Sequence, residues 1–370
     1  MIFTLDTVER LTRVRTGPSD PVILALFPMN DVLTPVLAQL SRRVDVPPAD
    51  VAAALSEILE GRVSDVQAAG FAVALRTKGE TVDELSALVR TMLRYATLVD
   101  GVPDHAIDTC GTGGDRSGSI NVSTIAALVA VGAGATVVKH GNRAASSQCG
   151  SADVLEALGI NIELDAAAVA ACVREVGVGF CFAPKYHPAL RFLGPARREL
   201  GVPTTFNYLG PLLNPARVRR QVVGVSDPAM AERMLGVLAD NGSERAMVVH
   251  GDDGLDELTT TTTSTIVELV DGDVRRSTID PEAFGLTRVG AAALHGGDAG
   301  HNANVVHAVL AGDPGAARDV AVLNAAAALV VADVATDLAD GVGQARAAID
   351  AGTAAAVLER WITFTTGLAR

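Results

Sequence analysis

Three glycines in four positions, Gly111-Thr112-Gly113-Gly114, interrupt the chain between the apolar run His105–Cys110 and a second apolar run at Ile125–Val131. Without a Cβ, such a backbone adopts φ > 0 and brings its N–H groups close to a bound anion. Asn121 and Ser123 are N-cap candidates for the helix that Ile125–Val131 predicts, so the loop ends at a helix N-terminus, where anions are favoured. A second predicted strand, Ala135–Val138, then delivers Lys139-His140-Gly141-Asn142-Arg143-Ala144-Ala145-Ser146-Ser147, with two cations, a glycine and two hydroxyls. One glycine loop is often only a tight turn. Two, each after a strand and separated by a single helix, predict a composite anion site on an α/β scaffold. Neither the Gly-Lys-Ser/Thr ending of a P-loop nor a GxGxxG fingerprint is present.

Composition agrees with that scaffold. Apolar residues make up 49% of the 370, with Ala, Val and Leu dominant, and aromatics only 4%. This mix favours helices packed on a parallel sheet over an all-β sandwich. A net charge of −13 argues against nucleic acid and anionic membranes as general partners. Apolar stretches are broken well before the ~18 residues a membrane span needs, and Val22–Phe27 is too short for the apolar core of a secretion signal. The four cysteines lack CxxC spacing and read as small hydrophobes in a reducing cytosol, so a cytoplasmic location is expected. No HxH, HxxH or HExxH occurs among the seven histidines, and no Gly-x-Ser-x-Gly elbow supports serine hydrolysis.

Residues 1–100 predict helices, with apolar spacing of three to four over Val51–Leu59, Val66–Leu75 and Val82–Leu98, stops at Gly61 and Gly79, and a cap at Thr81. The charges from Arg76 to Lys78 and from Glu80 to Glu84 read as a solvated face. From about residue 101 strands alternate with helices. Asn161–Leu164, Val178–Phe182, Gln221–Val225 and Ala246–His250 read as strands, and Ile266–Val270 with Val274–Ser277 reads as a hairpin. Thr259–Thr263 reads as an exposed strand of β-branched residues. The fold expected is therefore α/β: a small helical domain over 1–100, then a larger domain over 101–370 with a mostly parallel sheet flanked by helices. The Pro- and Gly-rich segment 188–218 is a candidate for crossing between them.

Four carboxylates, Asp252, Asp253, Asp256 and Glu257, follow the strand at Ala246–His250. Loops after parallel strands carry α/β ligand sites, and adjacent Asp-Glu is an oxygen donor set that suits Mg²⁺ beside substrate phosphates. Arg197 and Arg198 read, on pattern alone, as a charged helix end.

GTGGD, NVST and KHGNRAASS, in this order and spacing, resemble anthranilate phosphoribosyltransferases, and the resemblance spans roughly residues 50 to 360. It implies transfer of a 5-phosphoribosyl group from phosphoribosyl pyrophosphate to the amine of anthranilate, in tryptophan biosynthesis. It implies that Gly111, Gly114, Asp115, Ser119, Asn121, Val122, Ser123, Thr124, Lys139, His140, Gly141, Asn142, Arg143, Ala144, Ala145, Ser146, Ser147 and Ser151 hold the donor. Gly111, Asn142 and Arg197 are implied to meet anthranilate, where a guanidinium suits a planar carboxylate. Mg²⁺ is implied at Ser123, Asp256 and Glu257, with two ions expected, and no acid, base or nucleophile is assigned. A homodimer joined through the helical region is also implied. The nearest rivals are a pyrimidine-nucleoside phosphorylase, which should carry a different lysine-serine-glycine motif, and a nucleic-acid-binding paralogue, which should lack GTGGD and carry a basic surface.

Overall fold

The structure, a computed structural model, describes residues 30–144 and 147–368. Ala145 and Ser146, both expected at the donor site, and the N-terminal residues 1–29 lie outside the described residues.

Four helices open the described chain: α1 (Leu33–Ser41), α2 (Pro48–Leu59), α3 (Asp65–Lys78) and α4 (Val82–Arg94). Local chemistry sets their ends. Pro48 starts α2 at a position where the missing N–H costs nothing. Ser64 with Gln67 and Thr81 with Glu84 form reciprocal capping boxes on α3 and α4. Gly79, at φ 89°, stops α3 where a side chain would be strained.

The remainder builds one sheet with its helices. In chain order these are β1 (Ile107–Gly111), α5 (Val122–Gly132), β2 (Val137–Gly141), α6 (Ser151–Ala157), α7 (Ala166–Val176) and β3 (Val178–Phe182). After the crossing segment, which carries α8 (Gly194–Leu200), come β4 (Arg220–Gly224), α9 (Ala231–Asp240), β5 (Arg245–Gly251), β6 (Ser264–Val270) and β7 (Asp273–Ile279). The chain closes with α10 (Ala299–Leu310), α11 (Ala316–Val331), α12 (Leu338–Asp350) and α13 (Thr353–Gly367). The seven strands lie in the order β3-β2-β1-β4-β5-β6-β7. The first five run parallel, and β6 and β7 add an antiparallel hairpin turned by Asp271 and Gly272, both at positive φ. The chain moves outward from β1 to β3, then returns to β4 on the other side of β1. The β1/β4 boundary is thus the topological switch point, where ligands of open α/β sheets bind.

Each face of the sheet has its own core. On one, α5 and α12 pack against Ala- and Val-rich α11, which is buried from Val320 to Val331, and α13 packs on α5. On the other, the helices α1–α4 share a single core with the crossing segment, α9 and the outward residues Val223, Val248, Val267 and Leu269.

Three sequence readings need correction. Asn161–Leu164 is not a strand: Asn161 N–H donates to Thr365 Oγ1, and Lys185 and Tyr186 side chains donate to the Glu163 and Leu164 carbonyls, so side chains take the place of a ladder. Thr259–Thr263 is not strand: Thr259 and Thr261 hydroxyls donate to Asp253, and Thr263 donates to Asp252, so the threonines satisfy the acidic loop. The charges at the α3–α4 junction are not a solvated face. Glu80 and Glu84 are buried. Lys78 pairs with Glu84 at 2.8 Å. Glu80 accepts from Thr205 Oγ1 at 2.6 Å, and Arg76 donates to Asp227 at 2.9 Å. These charges form the seam between the helices, the crossing segment and the sheet; periodicity could not show that another layer covers them.

Candidate active site

β1 and β4 run in register and end together at Gly111 and Gly224. The Asp256–Glu257 segment lies across both ends. A Cβ on Gly224 would come 1.6 Å from the Asp256 backbone oxygen, and one on Gly111 would come 2.3 Å from Asp256 Oδ2. Gly224 is required by this close approach of backbone to backbone, and at Gly111 a side chain would displace the Asp256 carboxylate. The glycine loop then turns away through Gly113 and Gly114 at φ 65° and 79°. Gly113 N–H donates to Asp256 Oδ2 at 2.7 Å, and Ser226, just beyond β4, donates its hydroxyl to Gly113 O at 3.2 Å.

The same segment reaches α5. Ser123 N–H, in the first turn, donates to Glu257 Oε1 at 3.1 Å. Beneath it, Lys139 donates to Ser123 Oγ at 3.1 Å and to the Thr109 carbonyl. Lys139 is only 2% exposed, and it faces the sheet ends instead of the second loop. Its field opposes the burial that raises the Asp108 carboxyl above its ordinary range. Asp108 is further held by Asn214 Nδ2 at 2.8 Å and His140 N–H at 3.2 Å.

The outcome is a concentrated acidic centre. Burial, reinforced by the neighbouring Asp115 carboxylate, pushes Asp256 up to about 7. Burial and then Asp256 push Glu257 up to about 8. Asp115 Oδ1 accepts from Ser117 N–H at 3.2 Å, while its Oδ2 is buried without a hydrogen-bond partner among the described residues. Among those residues no three His, Cys, Asp or Glu side chains form a protein-only metal cage. Mg²⁺ instead takes one or two carboxylates with substrate phosphates and water. An all-oxygen set of Asp256, Glu257 and the Ser123 hydroxyl, beside an acceptor with no donor, fits that chemistry.

The second loop is braced by its own bonds to the start of α6. Asp153 on α6 accepts from Ala144 N–H and Gly150 N–H, each at 2.9 Å, folding the loop back onto the helix start. Arg143 is paired with Asp153 at 3.0 Å and with Glu156, so its charge is already compensated. Ser151 donates to Asn142 O at 3.3 Å, Ser147 donates to Cys149 O at 3.3 Å, and Asn142 is exposed. His140 turns inward: its Nδ1–H donates to Gly210 O at 3.1 Å, and its ring meets His187 edge-on at 5.0 Å. Gly141 ends β2, Val122 and Thr124 are buried in the first turn of α5, and Ser119 lies in the strand-like link between glycine loop and helix.

Arg197 does not touch this cluster. It sits on α8, packed against α3, and is half-buried with no acceptor among the described residues. Burial lowers the pKa of its guanidinium, which remains cationic. Two structural supports carry weak sequence signals. Asp108 is a carboxylate inside an apolar strand, and Ser226, which reads as the start of a helix cap with Asp227 and Pro228, braces the glycine loop instead.

A switch-point site with an anion loop, a helix N-terminus and a carboxylate pair defines an enzyme that acts on a phosphorylated substrate. The comparisons narrow that class. Residues 103–355 match the model of the glycosyl transferase family α/β domain, and residues 34–96 match that family's helical bundle domain. An anthranilate phosphoribosyltransferase from a Nocardioides species is 54% identical over 335 residues, covering 89% of this chain and 98% of its own. The crystal structure of the enzyme of that name from Thermus thermophilus superposes with a TM-score of 0.84 at 39% identity, covering 89% of this chain and 99% of its own. The Saccharomyces cerevisiae enzyme, in complex with PRPP and Mg, superposes with a TM-score of 0.84 at 26% identity, covering 92% and 99%. The chain belongs to the anthranilate phosphoribosyltransferase family.

Proposed function

We infer that this chain transfers the 5-phosphoribosyl group of phosphoribosyl pyrophosphate to the amine of anthranilate, giving N-(5-phosphoribosyl)anthranilate and pyrophosphate in tryptophan biosynthesis. The observation that carries the reading is the clasp of Asp256 and Glu257 on the glycine loop and the α5 N-terminus. It assembles anion donors and cation acceptors at one point, as a pyrophosphate leaving group requires.

In this reading Gly111, Gly114, Asp115, Ser119 and Asn121–Thr124 hold the pyrophosphate side of the donor. The second loop from Lys139 to Ser147, with Ser151, holds the remainder, and Lys139 acts from below through Ser123. Mg²⁺, when bound by Ser123, Asp256 and Glu257, supplies charge neutralisation of the phosphates. Fission of the C1–O bond sends its electron pair to pyrophosphate, and the amine lone pair forms the new N–C1 bond before a proton leaves to water. The ribosyl centre carries oxocarbenium character, as in glycoside cleavage. An aromatic amine is unprotonated near neutral pH, so the chain's task is to place acceptor against C1, and no strong base is demanded. Arg197, desolvated and unpaired among the described residues, suits the anthranilate carboxylate, with Gly111 and Asn142 as further contacts.

We propose also that the chain works as a cytoplasmic homodimer, with a domain boundary near residue 100. Val66 and Val73, one α3 face apart by two turns, are 81% and 38% exposed and would be covered by a second copy. Sedimentation showing only monomer at micromolar concentration would remove that proposal.

The direct test mixes the protein with anthranilate, phosphoribosyl pyrophosphate and Mg²⁺ and follows the loss of anthranilate fluorescence. Asp256→Asn with Glu257→Gln should abolish most Mg²⁺-dependent turnover while circular dichroism is preserved. Stable fluorescence accompanied by phosphorolysis of uridine or thymidine would favour the phosphorylase instead.

A further inference from the structure

The segment from Leu294 to Asn302 has no role in the site described so far, yet it backs the second half of the glycine loop. Ile120 N–H donates to Leu294 O at 3.0 Å and Gly296 N–H donates to Gly118 O at 2.8 Å. Ser119 and His295 form an antiparallel bridge between these bonds. A Cβ on Gly296 would lie 2.8 Å from Asn302 Oδ1 and 2.9 Å from Ser119 O, so the contact depends on glycine there.

Asn302, in the first turn of α10, is 2% exposed. Its Oδ1 accepts from Gly297 N–H at 2.8 Å, and its Nδ2 donates to Asn121 Oδ1 at 2.8 Å. Asn121 Nδ2 in turn donates to Cys149 O at 3.1 Å. An amide oxygen only accepts and an amide nitrogen only donates, so the chain of bonds has one direction and fixes both amides. Asn121 occupies the N-cap position of α5 but makes no capping bond: its Oδ1 accepts from Asn302 Nδ2 and, at 3.4 Å, from the Cys149 thiol. The amide that could have closed the helix end is instead drawn sideways, towards the second loop.

We infer that Asn302 is a positioning residue for the phosphoribosyl-donor site. It holds Asn121 away from the N-terminus of α5 and, through Asn121 and Cys149, ties the glycine loop to the second loop. The inference rests on the reading of Asn121 as part of the donor site.

The test compares Asn302→Asp, Asn121→Ala and the double variant, with separate KM values for both substrates, kcat and a thermal melt. Asn302→Asp keeps an acceptor for Gly297 but sets an oxygen against Asn121 Oδ1. It should raise KM for phosphoribosyl pyrophosphate about ten-fold while KM for anthranilate and kcat stay within about two-fold. In the Asn121→Ala background it should add nothing, since the group it positions is gone. An unchanged donor KM in Asn302→Asp, with a raised one in Asn121→Ala, would overturn the inference alone, as would equal effects of Asn302→Asp in both backgrounds. An unchanged donor KM in Asn121→Ala would overturn the reading of Asn121 and the inference with it. Should Asn302→Asp fail to fold, Asn302→Ala, which removes the bond without adding charge, is read by the same ratios.

Discussion

The backbone oxygen of Asp256 occupies the place where Gly224 would carry a Cβ, 1.6 Å away. The end of β4 and the acidic segment are therefore fitted to one another at backbone level. Gly224→Ala should push the segment out, at a cost of about 1–3 kcal/mol of overpacking and roughly 2–4 °C of Tm per kcal/mol. Mg²⁺-dependent turnover should fall at least about ten-fold, since Asp256 and Glu257 move together. Gly343, in α12 with open space around it, is the control: Gly343→Ala should be neutral or slightly stabilising. Equal melts and rates for both variants would refute the fit.

Arg197 tests the acceptor half of the site. Arg197→Ala removes a charge-assisted pair of roughly 1.5–3 kcal/mol, so anthranilate KM should rise about ten- to hundred-fold. The donor KM should barely move, because the donor is assigned to the glycine loop and second loop. A helix-end charge would instead cost a little stability and leave both KM values alone.

Lys139 should behave unlike an exposed phosphate ligand. Its ammonium is buried against Ser123 and Thr109, close enough to temper the Asp108 carboxylate. Lys139→Ala removes the field that opposes the burial of Asp108 and leaves the Thr109 carbonyl and Ser123 hydroxyl without their buried donor. The variant should therefore show a clearly lowered Tm as well as weaker donor use. A normal melt with only the donor KM raised would move Lys139 to the surface of the site.

Two buried histidines set an acid limit on stability. Burial, with His187 alongside, lowers His140 to about 3, and burial lowers His187 to about 4. Both are neutral when folded near neutral pH, and each uses its one N–H on a backbone carbonyl. In the unfolded chain they take up protons below about pH 6.5, so the unfolded state binds more protons and stability falls as pH drops. The loss should approach roughly 1.4 kcal/mol per pH unit per histidine between about 6.5 and 4. His187→Asn should flatten the urea-midpoint profile across that window. A profile as steep as the parent's would show that His187 titrates alike in both states.

Much of the scaffold is legible in the residues. Capping boxes at Ser64 and Thr81, the glycine stop at Gly79 and the alternation after residue 101 act through neighbours a few positions apart, so short-range chemistry determines them. The same holds for the glycine loop, for the NVST turn and for the carboxylate pair, each of which carries its chemistry in a handful of consecutive positions. What the sequence could not decide is which side chains face one another across the sheet ends. Lys139 and Arg143 look equivalent in one loop, yet one is buried beneath Ser123 and the other is neutralised by Asp153 and Glu156. Glu80 and Glu84 look like surface charge, yet the crossing segment, α9 and the capping of α4 bury them. Asn302 lies 181 positions from the Asn121 it orients. Such pairings depend on strand order and layer packing, through contacts between residues far apart in the chain, and a local pattern holds no information on how those layers meet.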